Sequence, residues 1–285
     1  MLRALLVSSR PLSWVNTAFP FAVAYLLTQG FDLTIVIGAL YFLIPYNLAM
    51  YGINDVFDYE SDLLNPRKGG VEGAVLDRSL HRRTLVAAAV TNVPFLVYLV
   101  VVGSPLSWLV LAVSLFAVVA YSASGLRFKE VPLLDSLTSS THFVSPALYG
   151  LVLAGAQFTS PLVALLAAFL LWGVASHAFG AVQDVRADRA AGIRSIATAF
   201  GARVTVRIAV VAYLLAGGLL LLTSWPGPLA AILTLPYAIS CAVYWRIVDA
   251  EAESANRGWR RFLYLNFVTG FLVTLLLIWW AVLSR

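Results

Sequence analysis

Residues 33–62 read LTIVIGALYFLIPYNLAMYGINDVFDYESD. For some twenty residues the stretch is almost entirely apolar, and then it turns abruptly acidic. A helix crosses the hydrocarbon core of a bilayer in about 20 residues, so the apolar part has the length of a membrane span. The acidic part has helical spacing. Asp55, Asp58 and Asp62 stand at i, i+3 and i+7, and Asn54 and Asp58 at i, i+4. If the helix continues, these oxygens share one face. A membrane helix tipped with carboxylates is the unit from which the rest of the chain is read.

The whole chain repeats that character. Its 285 residues are 61% hydrophobic and 12% charged, with a mean hydropathy of +0.87. An ordinary soluble domain is about 25% charged, and one core of this size cannot hide so much apolar surface from water. Disorder, coiled coil and a disulfide scaffold are excluded by the same composition. Cys241 is the single cysteine, so there is no internal disulfide and no cysteine-based zinc site. The expected fold is all-α and polytopic, with about nine transmembrane helices at roughly 13–29, 34–53, 84–102, 105–122, 133–155, 160–182, 204–223, 229–248 and 262–283. Breakers fall between them at Gly30, Gly103-Ser104-Pro105, Ser160-Pro161 and Pro226-Gly227-Pro228. The first apolar stretch is longer than a signal-peptide core and lacks an A-x-A exit, so it reads as a retained span. Residues 1–285 read as a single integral-membrane domain.

Charge then sets the orientation. With nine spans, every Lys and Arg except Arg285 falls in the N-terminal arm, in the loops on the same side of the membrane or in the span ends that meet those loops. The positive-inside rule makes that side cytoplasmic, which puts the C-terminus outside and makes the cell membrane the expected location. All acidic residues except Asp32 lie on that side as well. The rule is largely indifferent to acids, so their clustering points to a site. The positive net charge follows from membrane sorting and implies no nucleic-acid partner.

A second acidic end follows the sixth expected helix, in Gln183-Asp184-Val185-Arg186-Ala187-Asp188, with Asp184 and Asp188 at i, i+4 and Arg194 beyond them. It lies 129 residues after the first and reads as a pseudo-repeat of it. Hard oxygen ligands at this density repel unless a cation sits among them. Mg²⁺ is the natural candidate, because it combines one or two carboxylates with substrate phosphates. Arg67, Lys68, Arg127, Lys129 and Arg194 are candidates for the remaining phosphate oxygens. The plainer alternative is solvated loop carboxylates pairing with nearby arginines.

Asn-Asp-x-x-Asp-x-x-x-Asp at 54–62 and Asp-x-x-x-Asp at 184–188 resemble the two aspartate-rich motifs of the UbiA superfamily of intramembrane prenyltransferases. Tyr121-Ser122 with Leu126-Arg127-Phe128-Lys129 is similar to that family's loop after helix four. The stretches SRPLSWVNT at 9–17 and YGINDVFDYESDLLNPRKGGVEGA at 51–74 resemble the lycopene elongase branch, which builds C50 carotenoids. The resemblance implies a UbiA-like helical bundle. It implies transfer of a dimethylallyl group from dimethylallyl diphosphate to lycopene, an acceptor that enters from membrane lipid. It also implies that Asn54, Asp58, Asp62, Asp184 and Asp188 bind Mg²⁺ and the diphosphate with Asp55 close by, the four aspartates Asp58, Asp62, Asp184 and Asp188 being catalytic. Lys68, Arg127, Lys129 and Arg194 then hold phosphate oxygens, and Tyr121 donates a hydrogen bond there. Many relatives with aromatic acceptors carry an Arg-Pro pair after the first motif. Here Arg67-Lys68-Gly69-Gly70 stands instead, which weighs against a quinone-type acceptor.

Polar residues inside spans are functional candidates by default. Asn47 lies seven residues before Asn54, and His177 seven before Asp184, so each shares a face with its cluster two turns deeper. Both, with His142 in the Ser/Thr-rich fifth span, are candidate cavity-lining residues. The alternative for each is an inter-helix hydrogen bond. Tyr41, Tyr46, Tyr51, Phe57, Tyr59, Phe143 and Tyr149 are rings that can face a cation or a polyene, but for any one of them helix packing is the simpler reading. Two other functions stay in view: a prenyltransferase with a quinone-precursor or porphyrin acceptor, and a cation transporter. A transporter needs acids at mid-membrane or on both faces, and here they crowd one face.

Overall fold

In a computed structural model the described residues are 1–64 and 75–283; of Ser61, Asp62 and Leu64 only the backbone is described. Among the described residues every regular element is helical. Six stretches are long and apolar enough to cross a membrane: Leu33–Phe57, Arg78–Val101, Pro105–Ser122, Ser160–Val182, Ile196–Leu220 and Asp249–Leu283. The other three expected spans are helical too, but do not qualify on length and hydropathy. Val15–Gln29 has 15 residues. Leu134–Leu153 carries Ser, Thr and His through its first half. The eighth expected span is a 3₁₀ segment, Gly227–Thr234, followed by the eight-residue helix Leu235–Ala242. Pro236, inside that stretch, withholds an amide proton that a continuous α-helix there needs, and the new helix starts around it.

The chain divides into two compact units, residues 1–128 with 141–156 and residues 129–140 with 157–285. The first unit holds α1 (Leu2–Ser8), α2 (Val15–Gln29), α3 (Leu33–Leu43), α4 (Pro45–Phe57), α5 (Tyr59–Leu64), α6 (His81–Val101), α7 (Pro105–Ser122) and the second half of α8 (Leu134–Leu153). Asp32 caps α3 by accepting the amide proton of Ile35, and Tyr25 donates to it as well. The Tyr25 hydrogen bond, helped by that cap, holds the Asp32 carboxyl below its usual range. Asp32, the acid expected apart from the others, is thus a capping residue.

The span read as continuous over 34–53 is broken at Ile44, before Pro45. Proline has no amide proton, so carbonyls of the preceding turn lose their donors. Asn47 supplies replacements, its Nδ2 donating to the carbonyls of Phe42 at 2.8 Å and Leu43 at 3.1 Å. Thr17 on α2 donates to the same Phe42 carbonyl. Buried side chains re-satisfying freed backbone groups are what permits such a break in lipid. Tyr41, Tyr46 and Tyr149, considered above as cation-facing rings, lie fully buried in an aromatic cluster with Phe21 and Phe42. Tyr46 continues into a buried hydroxyl chain through Ser114 to Ser145.

The second unit holds the first half of α8, α9 (Ser160–Val182), α10 (Val185–Ala190), α11 (Ile196–Leu220), α12 (Leu235–Ala242) and α13 (Asn256–Leu283). Its core lies mainly along α9 and α11, where Ala175, Ala197, Ala202 and Ala209 surround Phe179, Val206 and Tyr213. Small residues let helix backbones approach without a hydrophobic drive from water. The closest approach is at Gly173, where a Cβ would lie 2.2 Å from Ser140 Oγ. α11 is kinked at Gly201, whose φ of 79° lies in the region glycine tolerates best.

Candidate active site

The first acidic end sits where α4 stops. The helix does not run on through Asp62, as the spacing suggested. It ends at Phe57, and Asp58 is its C-cap, with φ −100° and ψ 2°. Asn54 and Asp58 still meet across the last turn, Asn54 Nδ2 donating to Asp58 Oδ2 at 2.7 Å. The same amide donates to Ser122 Oγ at the end of α7. The Asp58 carboxylate is buried, and Arg127 approaches its Oδ1 to 3.7 Å while donating to the Phe57 carbonyl. Asp55 is buried as well, and accepts from Ser8 at 2.7 Å and from Arg10 at 3.1 Å. Arg10 also reaches Asn54 Oδ1 and lies over the Tyr51 ring at 4.3 Å. A guanidinium stacked on a ring and forked onto two acceptors is held firmly.

Asp62 belongs to α5, beyond the break, and its side chain lies outside the described residues. So do Arg67 and Lys68 altogether. Tyr121 is on α7, its ring edge-on to buried His142 at 5.3 Å.

The second acidic end is a turn of its own. α9 stops at Val182, Asp184 is the N-cap of α10, and Asp188 follows one turn on. The Asp188 amide donates to the Asp184 carbonyl, which preserves the i, i+4 relation, and both carboxylates are half-buried. Neighbours fasten the turn: Gln183 accepts from Asn256 at 2.6 Å, Arg189 donates to Asp249 at 2.6 Å, and Arg186 reaches Glu253. Arg194 is exposed just before α11, and Lys129 is half-buried in the 3₁₀ turn Phe128–Glu130. His177 meets Ser136 on α8, Nδ1 to Oγ 3.0 Å.

Three residues matter more here than their sequence context suggested. Arg10 stands in the sequence as a charge of the N-terminal arm and a member of the 9–17 stretch, with no partner indicated, and Ser8 carries no signal. Asp135 was one cytoplasmic-side acid among many; it is fully buried and binds the backbone of α11. A carboxylate opening a Ser/Thr-rich helix was the only hint of it. Among the described residues no three of His, Cys, Asp and Glu form a metal-binding group. Among the described residues, the Asn and Asp side chains at the two ends offer amide and carboxylate oxygens. That set suits Mg²⁺, which needs only one or two protein carboxylates beside phosphate and water.

Residues 17–268 match the UbiA prenyltransferase family. Over 281 residues the chain is 61% identical to the C(50) beta-cyclic carotenoids biosynthesis protein LbtBC of Dietzia sp. (strain CQ4), a match that takes in 98% of this chain and 65% of that longer protein. It is 54% identical over 280 residues to the lycopene elongase/hydratase of Corynebacterium glutamicum, covering 97% of each chain. The fold is similar to a solved UbiA homolog from Archaeoglobus fulgidus bound to DMAPP and Mg²⁺, with a TM-score of 0.70 at 18% identity, covering 93% of this chain and 98% of that one.

Proposed function

Because the chain belongs to the UbiA prenyltransferase family, we propose that this multi-pass membrane enzyme transfers a dimethylallyl group from its diphosphate to lycopene, as a lycopene elongase. The observation that carries the acceptor is the identity, over nearly all of this chain, to the Dietzia and Corynebacterium carotenoid proteins. The donor and the metal are supported by the all-oxygen character of the two acidic ends.

In this reading Asn54, Asp58, Asp62, Asp184 and Asp188 would hold Mg²⁺. When bound, the metal neutralises the charge that grows on the departing diphosphate. Arg127, Lys129, Arg194 and Lys68 donate to phosphate oxygens, and Tyr121 adds a hydroxyl. Asp55, paired with Arg10 and Ser8, anchors the N-terminal arm to the same helix end. The allylic C–O bond breaks with its electron pair leaving on the diphosphate. The terminal alkene of lycopene then attacks the allylic cation and forms the new C–C bond. The resulting tertiary cation loses a proton or captures water. Apolar spans keep water from the first cation. His142 and His177 are proposed to line the cavity, while Asn47 holds the break before α4. Nine crossings with the N-terminus and both acidic ends cytoplasmic are proposed from the placement of the basic residues; the protein has no use for nucleic acid in this scheme.

The test supplies membranes containing the protein with labelled dimethylallyl diphosphate and lycopene, with and without Mg²⁺. Metal-dependent C45 and C50 products are expected. Prenylation of an aromatic acceptor alone overturns the assignment.

A further inference from the structure

The residues Asp184, Asp188 and Arg194 ride on one connection, from the end of α9 at Val182 to the start of α11 at Ile196. Both ends of that connection are tied to the same two neighbouring residues. Asp135 and Ser136 open α8, and each is 0% exposed. On the exit side, Asp135 Oδ2 accepts the amide proton of Ile196 at 2.7 Å, two residues after Arg194. The first residues of α11 are set further by Ser195, which exchanges hydrogen bonds with Thr198. On the entry side, Ser136 Oγ meets His177 Nδ1 at 3.0 Å, two turns before Asp184. The two halves are coupled, because Asp135 Oδ1 accepts both the amide and the hydroxyl proton of Ser136, at 2.6 and 3.2 Å. One turn along, Ser140 Oγ donates to the Leu170 carbonyl, and Gly173 leaves room for it. The start of α8 is thereby seated against α9 at two successive turns.

A buried carboxylate is costly unless its hydrogen bonds are made. A helix-capping serine or asparagine would terminate α11 at lower cost. What the carboxylate adds is a second oxygen, and that oxygen holds the serine facing α9. We propose that Asp135 and Ser136 are positioning residues: a buried latch that fixes both ends of the connection carrying Asp184, Asp188 and Arg194, and so sets the spacing of its carboxylates and guanidinium for a magnesium-bound prenyl diphosphate. The ligand named here rests on the function proposed above; the latch itself rests on the hydrogen bonds.

Two measurements test it, on the full chain in detergent or nanodiscs. The first is hydrogen exchange without ligand. Ser136→Ala is expected to speed exchange across residues 183–195 and to leave α6 unchanged, and Ser136→Thr, which keeps the hydroxyl, is expected to restore protection. The second is equilibrium binding of dimethylallyl diphosphate with Mg²⁺, beside steady-state kinetics. Ser136→Ala is expected to weaken binding about tenfold, the scale of a lost supporting contact behind a metal site, with the KM for lycopene unchanged. Asp135→Asn is expected to do the same or more; should it fail to fold, the two Ser136 variants decide. Wild-type exchange and wild-type binding in folded Ser136→Ala overturn the latch, as does equal weakening toward both substrates. If the wild-type chain binds no prenyl diphosphate, the substrate reading falls, and the ligand-free exchange still judges the latch.

Discussion

The two acidic helix ends look alike as sequence and are held in different ways. At the first, the motif residues make the long-range bonds themselves. Asn54 reaches Ser122, Asp58 faces Arg127, and Asp55 takes Ser8 and Arg10. At the second, residues beside the carboxylates take part in the fastening: Gln183 to Asn256, Arg186 to Glu253, Arg189 to Asp249, with Asp135 and Ser136 behind. The difference teaches where each end is vulnerable. A buried ion pair is weak evidence of net stability but expensive to halve, whereas exposed pairs contribute little either way.

The comparison breaks most severely at the carboxylates. Asp58→Asn and Asp184→Asn are each expected to lower turnover by about 10²–10³-fold or more, the scale of losing one transition-state charge contact, with folded protein retained on size-exclusion chromatography. Wild-type turnover in either variant removes that end from the chemistry. Next comes the anchor of the first end. Arg10→Ala leaves the Asp55 carboxylate buried and short of its cation, and is expected to cost about 3–5 kcal/mol of stability in a denaturation series. A loss under about 1 kcal/mol indicates that burial of Asp55 does not depend on Arg10. A smaller effect is expected at Gly173→Ala, where the added methyl meets Ser140 and overpacking costs about 1–3 kcal/mol. A neutral result there means that α8 and α9 separate freely. Smallest of all, Arg189→Ala removes an exposed pair with Asp249 and is expected to change stability by no more than about 1 kcal/mol. A larger loss makes the rim of the second end as demanding as the interior of the first.

Much of this was legible before any coordinates. Apolar runs longer than 18 residues have one solvent available to them, so several of the expected spans coincide with helices to within a few residues, and Pro105–Ser122 and Ser160–Val182 fell where the hydropathy put them. The acid clusters were legible because membrane sorting does not require them. Less legible were the breaks. Pro45 is visible in the sequence, yet whether proline kinks or ends a span depends on who satisfies the freed carbonyls, and the answer came from Asn47 and Thr17. The stop at Asp58 has no proline or glycine to announce it. Arg10 and Asp135 were counted as charges, because a residue's partner some 45 or 60 positions away leaves no mark on local periodicity.

The sequence by itself determined the solvent, the helical class and the chemical identity of the two acidic ends, because these follow from composition and from spacing within one or two turns. Only the tertiary structure decided which carboxylates are buried, which guanidinium answers each, and where the helices stop. Those outcomes depend on long-range pairing in a low-dielectric interior, where a charge settles beside whichever partner the packing of distant helices brings to it.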